Sequence, residues 1–270
     1  VLKPYEGVIS ADSGHVNQHE AGAIEATGHK VLGLPHKDGK LTADAVGKYM
    51  ADFLADESAE HMVRPGMVYI SHPTEFGTLY SLEELKALSD VCHKYGLPLY
   101  MDGARLGYGL AAPDSDLGLE DIALFCDMFY IGGTKVGALF GEALVITRPV
   151  ALKQMITHIK RQGALLAKGR LLGVQFSTLF TDGLYMKISR HAIRMAGILT
   201  DALKSRGYEF FAPPQTNQIF VVLDNDTLAR LKRHATFSVW QKLDSGRTSV
   251  RFVTSWATGE GDVNALIALL

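Results

Sequence analysis

The chain has 270 residues, 47% hydrophobic and 21% charged, with 27 Lys+Arg against 29 Asp+Glu for a formal net charge of −2. This is globular composition, enough for one large domain or for a large and a small one. The charge balance gives no basic footprint for nucleic acid or an anionic membrane, and no run of about eighteen apolar residues could span a bilayer. The two cysteines, Cys92 and Cys126, form no CxxC and no disulfide framework, and read as buried, reduced thiols of a cytoplasmic protein.

The chain opens at Val1 in mid-stride, as a helix end, a turn and a strand, so a longer N-terminal region is expected before it. A strand over 8–10 leads to a helix expected over 17–26, capped by Asp12 or Ser13 and ended by Thr27-Gly28. Residues 30–35 read as the next strand and Lys37-Asp38-Gly39-Lys40 as a turn. Thr42 then caps an amphipathic helix to about residue 56, with Ala45, Val46, Tyr49, Met50 and Phe53 at helical spacing. A strand over 67–70 runs into Ser71-His72-Pro73-Thr74-Glu75-Phe76-Gly77-Thr78. Ser81 caps a helix over 82–95 that Gly96 stops.

The central stretch repeats that pattern. Leu97-Pro98-Leu99-Tyr100-Met101 delivers Asp102-Gly103-Ala104-Arg105, and Asp127-Met128-Phe129-Tyr130-Ile131 delivers Gly132-Gly133-Thr134-Lys135; a third apolar run, 142–146, follows. Short apolar runs bounded by Gly and Pro read as buried strands, and their alternation with helices predicts βαβ units and a mostly parallel sheet. Residues 151–205 carry long helical periodicity. From 208 the texture changes to short helices alternating with strands at 218–223 and 249–254. The expected organisation is a large domain over 1–150, connecting helices over 151–206 and a small α+β domain over 207–270.

Asp102 and Lys135 carry the chemistry. A carboxylate at the tip of one buried strand and a lysine just past the tip of the next is a costly arrangement unless chemistry uses it. The pair suits pyridoxal 5'-phosphate: the lysine holds the cofactor as a Schiff base, and the carboxylate keeps its pyridine nitrogen protonated.

Ser13-Gly14-His15 running to Glu20-Ala21-Gly22-Ala23, then Tyr80-Ser81-Leu82-Glu83-Glu84-Leu85, Met101-Asp102-Gly103-Ala104-Arg105-Leu106 and Thr134-Lys135, occur in that order. Together they resemble the threonine aldolase / β-eliminating lyase family, pyridoxal-phosphate enzymes of the type I (aspartate aminotransferase) fold. Within it the likeness is strongest to the low-specificity L-threonine aldolases.

The resemblance implies retro-aldol cleavage of L-threonine or L-allo-threonine to glycine and an aldehyde. The neighbouring possibility is β-elimination from an aromatic or sulfur amino acid; a non-catalytic cofactor carrier is the alternative from another class. It implies Lys135 as the Schiff-base lysine, Asp102 beside the pyridine nitrogen and His15 stacked on the cofactor ring. Arg105 and Arg251 would hold the substrate carboxylate, Thr134 would lie near the phosphate, and Arg161 would help to bind the cofactor. His72 aligns with a family histidine near the β-hydroxyl, although Pro73 and Glu75-Phe76 depart from the family pattern, so Glu75 stands as an alternative base. His15 and His19 lie four apart with Glu20 adjacent, which invites a metal reading, but no third ligand is evident and no metal is expected. A homo-oligomer, dimer or tetramer, is implied. The fold's glycine-rich phosphate cradle is not found before Asp102, and is expected to precede Val1.

Overall fold

The computed structural model describes residues 1–148 and 154–270. A six-stranded sheet has the order β2-β1-β3-β4-β5-β6. Its strands are β1 (Glu6–Ala11), β2 (Val31–Leu34), β3 (Arg64–Ser71), β4 (Leu99–Asp102), β5 (Met128–Ile131) and β6 (Ala143–Ile146). β1 to β5 run parallel and β6 pairs antiparallel with β5. The strands that deliver His15, Glu75, Asp102 and Lys135 are thus β1, β3, β4 and β5, four neighbours whose C-terminal ends share one edge. Ligands of open α/β sheets bind at that edge.

Helices cover the sheet because their apolar stripes have nowhere else to go. α2 (Ala43–Ala55) starts where the Thr42 side chain accepts the Ala45 N–H, and buries Val46, Met50 and Phe53. α3 (Leu82–Lys94) begins in a capping box between Ser81 and Glu84 and buries Leu85, Leu88 and Cys92; Gly96 follows at positive φ. Both cysteines are buried and free.

The helix expected over 17–26 is not there. α1 spans only His15–Gln18, its N-cap is Gly14 rather than Asp12 or Ser13, and the chain then turns through Ala21 and Gly22, both at positive φ, to a single 3₁₀ turn. Residues 19–23 are exposed, so no packing surface repays the cost of nucleating a helix there.

Two short helices, α4 (Leu106–Leu110) and α5 (Leu119–Phe125), follow β4. The helical stretch after β6 holds α6 (Met155–Arg161), α7 (Arg170–Phe180) and the 22-residue α8 (Leu184–Ser205). The expected division at 150–151 lies outside the described residues. α8 serves two cores. Its first half packs Tyr185 and Ala192 among the residues of the parallel sheet, and its second half packs Met195, Ala196, Leu199 and Leu203 against a second sheet.

That second sheet is antiparallel, order β7-β9-β8, with β7 (Gln218–Asp224), β8 (Ser238–Lys242) and β9 (Arg247–Val253). α9 (Asn225–Leu231) and α10 (Glu260–Leu269) complete this region. β9 is its central strand, so Arg251 does not sit on a solvent-facing edge. Among the described residues no helix is long and apolar enough to cross a membrane.

Candidate active site

The approach of β4 to β5 decides the site's geometry. Beyond the pair Met101↔Phe129 the two strand ends stay in contact, with the Gly132 N–H donating to the Gly103 carbonyl at 2.9 Å. A Cβ on Gly103 would lie 2.0 Å from the Tyr130 carbonyl oxygen, and one on Gly132 would lie 2.2 Å from the Ala104 oxygen. Neither position has room for any other residue, since the obstacle in both cases is backbone. These two glycines bring the Asp102 and Lys135 segments together. Gly132→Ala is expected to separate them and to destabilise the protein by about 2 kcal/mol or more, measured by urea unfolding.

The resulting cleft, of about 280 Å³, is lined by His15, Glu20, Glu75, Asp102, Arg105, Tyr130, Lys135 and Arg251, with Trp240 among the residues closing it from the second sheet. Lysine, aspartate, histidine and the two arginines expected to act together therefore do meet in one place.

Lys135 follows the β5 tip on a turn fastened by Glu142, whose carboxylate accepts the Gly133 N–H and, at 3.0 Å, the Thr134 hydroxyl. Its side chain remains open to solvent at the cleft surface. Partial desolvation, then the Arg105 charge, lowers its pKa, against the opposing pull of Asp102, Glu142 and Glu20. The shift favours a neutral amine at a lower pH than a free lysine would allow.

Asp102 is held from three sides. Tyr69 donates to Oδ2 at 2.6 Å, Tyr130 donates a short hydrogen bond to Oδ1, and the Ala104 N–H donates to Oδ1 at 2.9 Å. Burial, then the adjacent Asp102 charge, pushes both phenols up, so they stay protonated donors. Tyr100 stacks on Tyr69, with centroids 5.1 Å apart, and keeps that ring in place.

Arg105 and Arg251 converge in the cleft, with Asp102 and Glu75 as the nearby opposing charges on Arg105. Arg105 has its pKa lowered by burial and then by Arg251, and Arg251 by burial. Among the described residues neither makes a salt bridge, and the Arg251 Nε is buried without a partner. Arg251 is oriented by Gln218 Oε1 at 3.1 Å and by Trp240, whose ring lies 5.6 Å beneath the guanidinium carbon. Two partly desolvated guanidiniums that make no salt bridge among the described residues form a site for an anion that both can grip.

His15 lines the cleft with its Nδ1 2.5 Å from Glu20 Oε1, and its ring lies 5.2 Å from that of His19. Among the described residues no group of three or more His, Cys, Asp and Glu could hold a metal ion.

Three expected residues are not brought in. His72 is fully buried outside the cleft lining; Nδ1 accepts the Tyr80 N–H at 3.4 Å and Nε2 has no partner. Thr134 is exposed and turned to Glu142, and Arg161 ends α6 on the surface. Pro73 lines the cleft, and the His72 ring next to it in sequence does not.

Burial, then the Lys40 charge, lowers the His72 pKa to about 4. A depressed folded pKa means that the stability it contributes is complete above the unfolded value of about 6.5 and is lost as pH falls toward 4, on the order of 3 kcal/mol in all. Unfolding midpoints should therefore drop across that window, and His72→Asn should flatten the dependence.

Sequence reasoning missed Tyr69, Tyr130, Glu142 and Trp240. Tyr69 and Tyr130 stand beside Asp102 only through the pairing of β3, β4 and β5, and Trp240 arrives from the second sheet. None of these carries a local spacing signal.

Comparison with known proteins agrees with this geometry. Residues 1–226 match the beta-eliminating lyase family. The chain is 31% identical to the low specificity L-threonine aldolase of Pseudomonas sp. (strain NCIMB 10558), covering 99% of this chain and 76% of that protein. It is 30% identical to the enzyme of that name from Pseudomonas aeruginosa, over 96% of this chain and 73% of the relative. The structure of Leishmania major threonine aldolase superposes with a TM-score of 0.91 at 43% identity, covering 99% of this chain and 77% of that one. An archaeal alanine:glyoxylate aminotransferase, 18% identical with a TM-score of 0.72, shares the fold. A cleft that unites a lysine, a carboxylate and two free guanidiniums, on a fold shared with these proteins, places the chain in the beta-eliminating lyase family.

Proposed function

We propose that this protein is a pyridoxal-phosphate-dependent aldehyde-lyase that cleaves L-threonine and L-allo-threonine to glycine and acetaldehyde. The observation that carries the reading is the cleft itself: the Lys135 amine and the Asp102 carboxylate share it with two guanidiniums that make no salt bridge among the described residues. The relatives' names support threonine as the substrate.

The donor set fits the cofactor's ring and carbonyl ends. Lys135 would hold the carbonyl carbon, Asp102 the pyridine nitrogen, and His15 a face of the ring. None of the lining residues forms a glycine-rich turn at a helix N-terminus, so these side chains account for those ends and leave the phosphate to other parts of the protein. When bound, the cofactor supplies an electron sink for the carbon left as Cα–Cβ breaks.

Arg105 and Arg251 would clamp the substrate carboxylate, and a fixed carboxylate sets which bond at Cα stands perpendicular to the ring. Arg251→Lys keeps the charge but loses the planar fork. It is expected to raise KM for threonine by about tenfold or more, the worth of a charged hydrogen bond, while cofactor binding persists. Steady-state kinetics on the loaded enzyme check it.

Leu139, Phe140, Ile156, Leu166, Leu171 and Val174 are exposed in the segment after Lys135, Leu139 at 88%. A second copy of the chain would cover exposed apolar side chains of this kind, and sedimentation equilibrium tests that.

The deciding experiment is an absorbance scan of the full-length protein with pyridoxal phosphate, followed by threonine. A band near roughly 420 nm and release of acetaldehyde support the reading. Ammonia and an oxo acid in place of acetaldehyde would assign the protein to the eliminating lyases instead. No band would sink the cofactor assignment.

A further inference from the structure

We propose that Glu75, rather than a histidine, is the group that takes the proton from the substrate's β-hydroxyl. The proposal rests on the aldolase reading above and deepens it.

The placement comes from the sheet. Ser71 ends β3 directly opposite Asp102 on β4, and four residues later the chain returns Glu75 to the same cleft wall. The Ser71 hydroxyl donates to Glu75 Oε1 at 2.7 Å, and the His15 N–H, from the loop after β1, donates to the same oxygen at 2.8 Å. Two donors from two strand ends thus fix one carboxylate oxygen, and no other residue among those described donates to Oε2. A carboxylate anchored through one oxygen keeps the other for proton exchange.

Glu75 is the half-buried lining carboxylate with this freedom, whereas Glu20, which also keeps one oxygen free, lies on the exposed loop after α1. Asp102 is committed to Tyr69, Tyr130 and the Ala104 amide, and one Glu20 oxygen to the His15 ring. His72 is fully buried and is not among the residues that line the cleft. Burial raises the pKa of Glu75, with Asp102 adding to the effect and the Ser71 and His15 hydrogen bonds opposing it. The other charged or titratable groups close enough to couple to it are Arg105 and Tyr80. A carboxylate made more basic by its surroundings is better matched to an alcohol proton.

The step balances without an oxidant or reductant. Glu75 takes the hydroxyl proton as the C–O bond becomes C=O and Cα–Cβ breaks, and the bonding pair remains on Cα. The aldehyde leaves, Glu75 releases its proton to solvent, and Cα takes one up to give glycine.

The test uses the loaded enzyme and the variants Glu75→Gln and Glu75→Asp. Glu75→Gln preserves size and hydrogen bonding, and should cut threonine cleavage by about 10²- to 10⁴-fold, the usual contribution of a positioned general base. The cofactor's visible band should persist, and so should exchange of the glycine α-hydrogen in D₂O, which involves no hydroxyl proton. Glu75→Asp should restore part of the cleavage rate, with a shifted acid limb in the pH profile of kcat/KM. Glu75→Gln cleavage within about threefold of the parent overturns the assignment. So does loss of glycine exchange together with cleavage while the band persists, because that pattern is a damaged site and not a missing base. A parent enzyme that binds cofactor but releases no acetaldehyde overturns the aldolase reading and this proposal together.

Discussion

Lys135→Ala is expected to remove the visible band that pyridoxal phosphate forms with the protein and to abolish measurable turnover. The lysine is the amine through which the cofactor would be held, and its replacement leaves no nucleophile at that point of the cleft. Arg105 cannot substitute, because a guanidinium does not deprotonate in this pH range. The fold should survive, since Lys135 is open to solvent and makes no side-chain hydrogen bond or salt bridge among the described residues. Its backbone carbonyl, which accepts from Tyr108, is untouched by the change. Circular dichroism matching the parent, with a flat visible spectrum, is the predicted combination. A retained band would show that another lysine holds the cofactor and would end the assignment of this cleft.

Asp102→Asn is expected to lower turnover by about 10³-fold, the scale of loss when one preorganised charge at a reacting centre is removed. The substitution is nearly isosteric, so the loss is electrostatic: a neutral amide does not hold a proton on a pyridine nitrogen. Its surroundings sharpen the effect. Tyr69 and Tyr130 both donate to Asp102, and an amide accepts from one phenol with its oxygen but donates from its NH₂ to the other, which must then turn its own O–H elsewhere. The bound cofactor's absorbance should also become more sensitive to pH. Activity within about tenfold of the parent would mean that the carboxylate does not face the pyridine nitrogen.

The two strand tips were legible because burial writes itself into sequence. Leu99-Tyr100-Met101 and Met128-Phe129-Tyr130-Ile131 are too apolar and too short for surface elements, so the polar residue after each had to emerge at a sheet edge. The helices over 43–55 and 82–94 were legible through their caps, Thr42 and Ser81, which are local signals. The expected helix over 17–26 failed because its pattern had no partner surface, a fact that periodicity does not contain.

The placement of His72 outside the cleft lining was hidden for a related reason. Motif spacing puts it beside Glu75, but the chain between them turns, so that one side chain enters the cleft wall and the other is sealed inside. Two residues three apart in a loop carry no rule for which faces a ligand. By itself the sequence determined the parallel sheet and the strand-tip positions of Asp102 and Lys135, because these follow from local apolar runs and from the residues that end them, while Arg105 and Arg251 entered through the family resemblance carried by ordered motifs. Only the tertiary structure decided that Tyr69 and Tyr130 hold Asp102, that Arg251 reaches the cleft from a second sheet, and that Glu75 lines it while His72 does not. Those relations join segments about 30 to 150 residues apart, and strand register with side-chain packing, not spacing along the chain, brings them into one cleft.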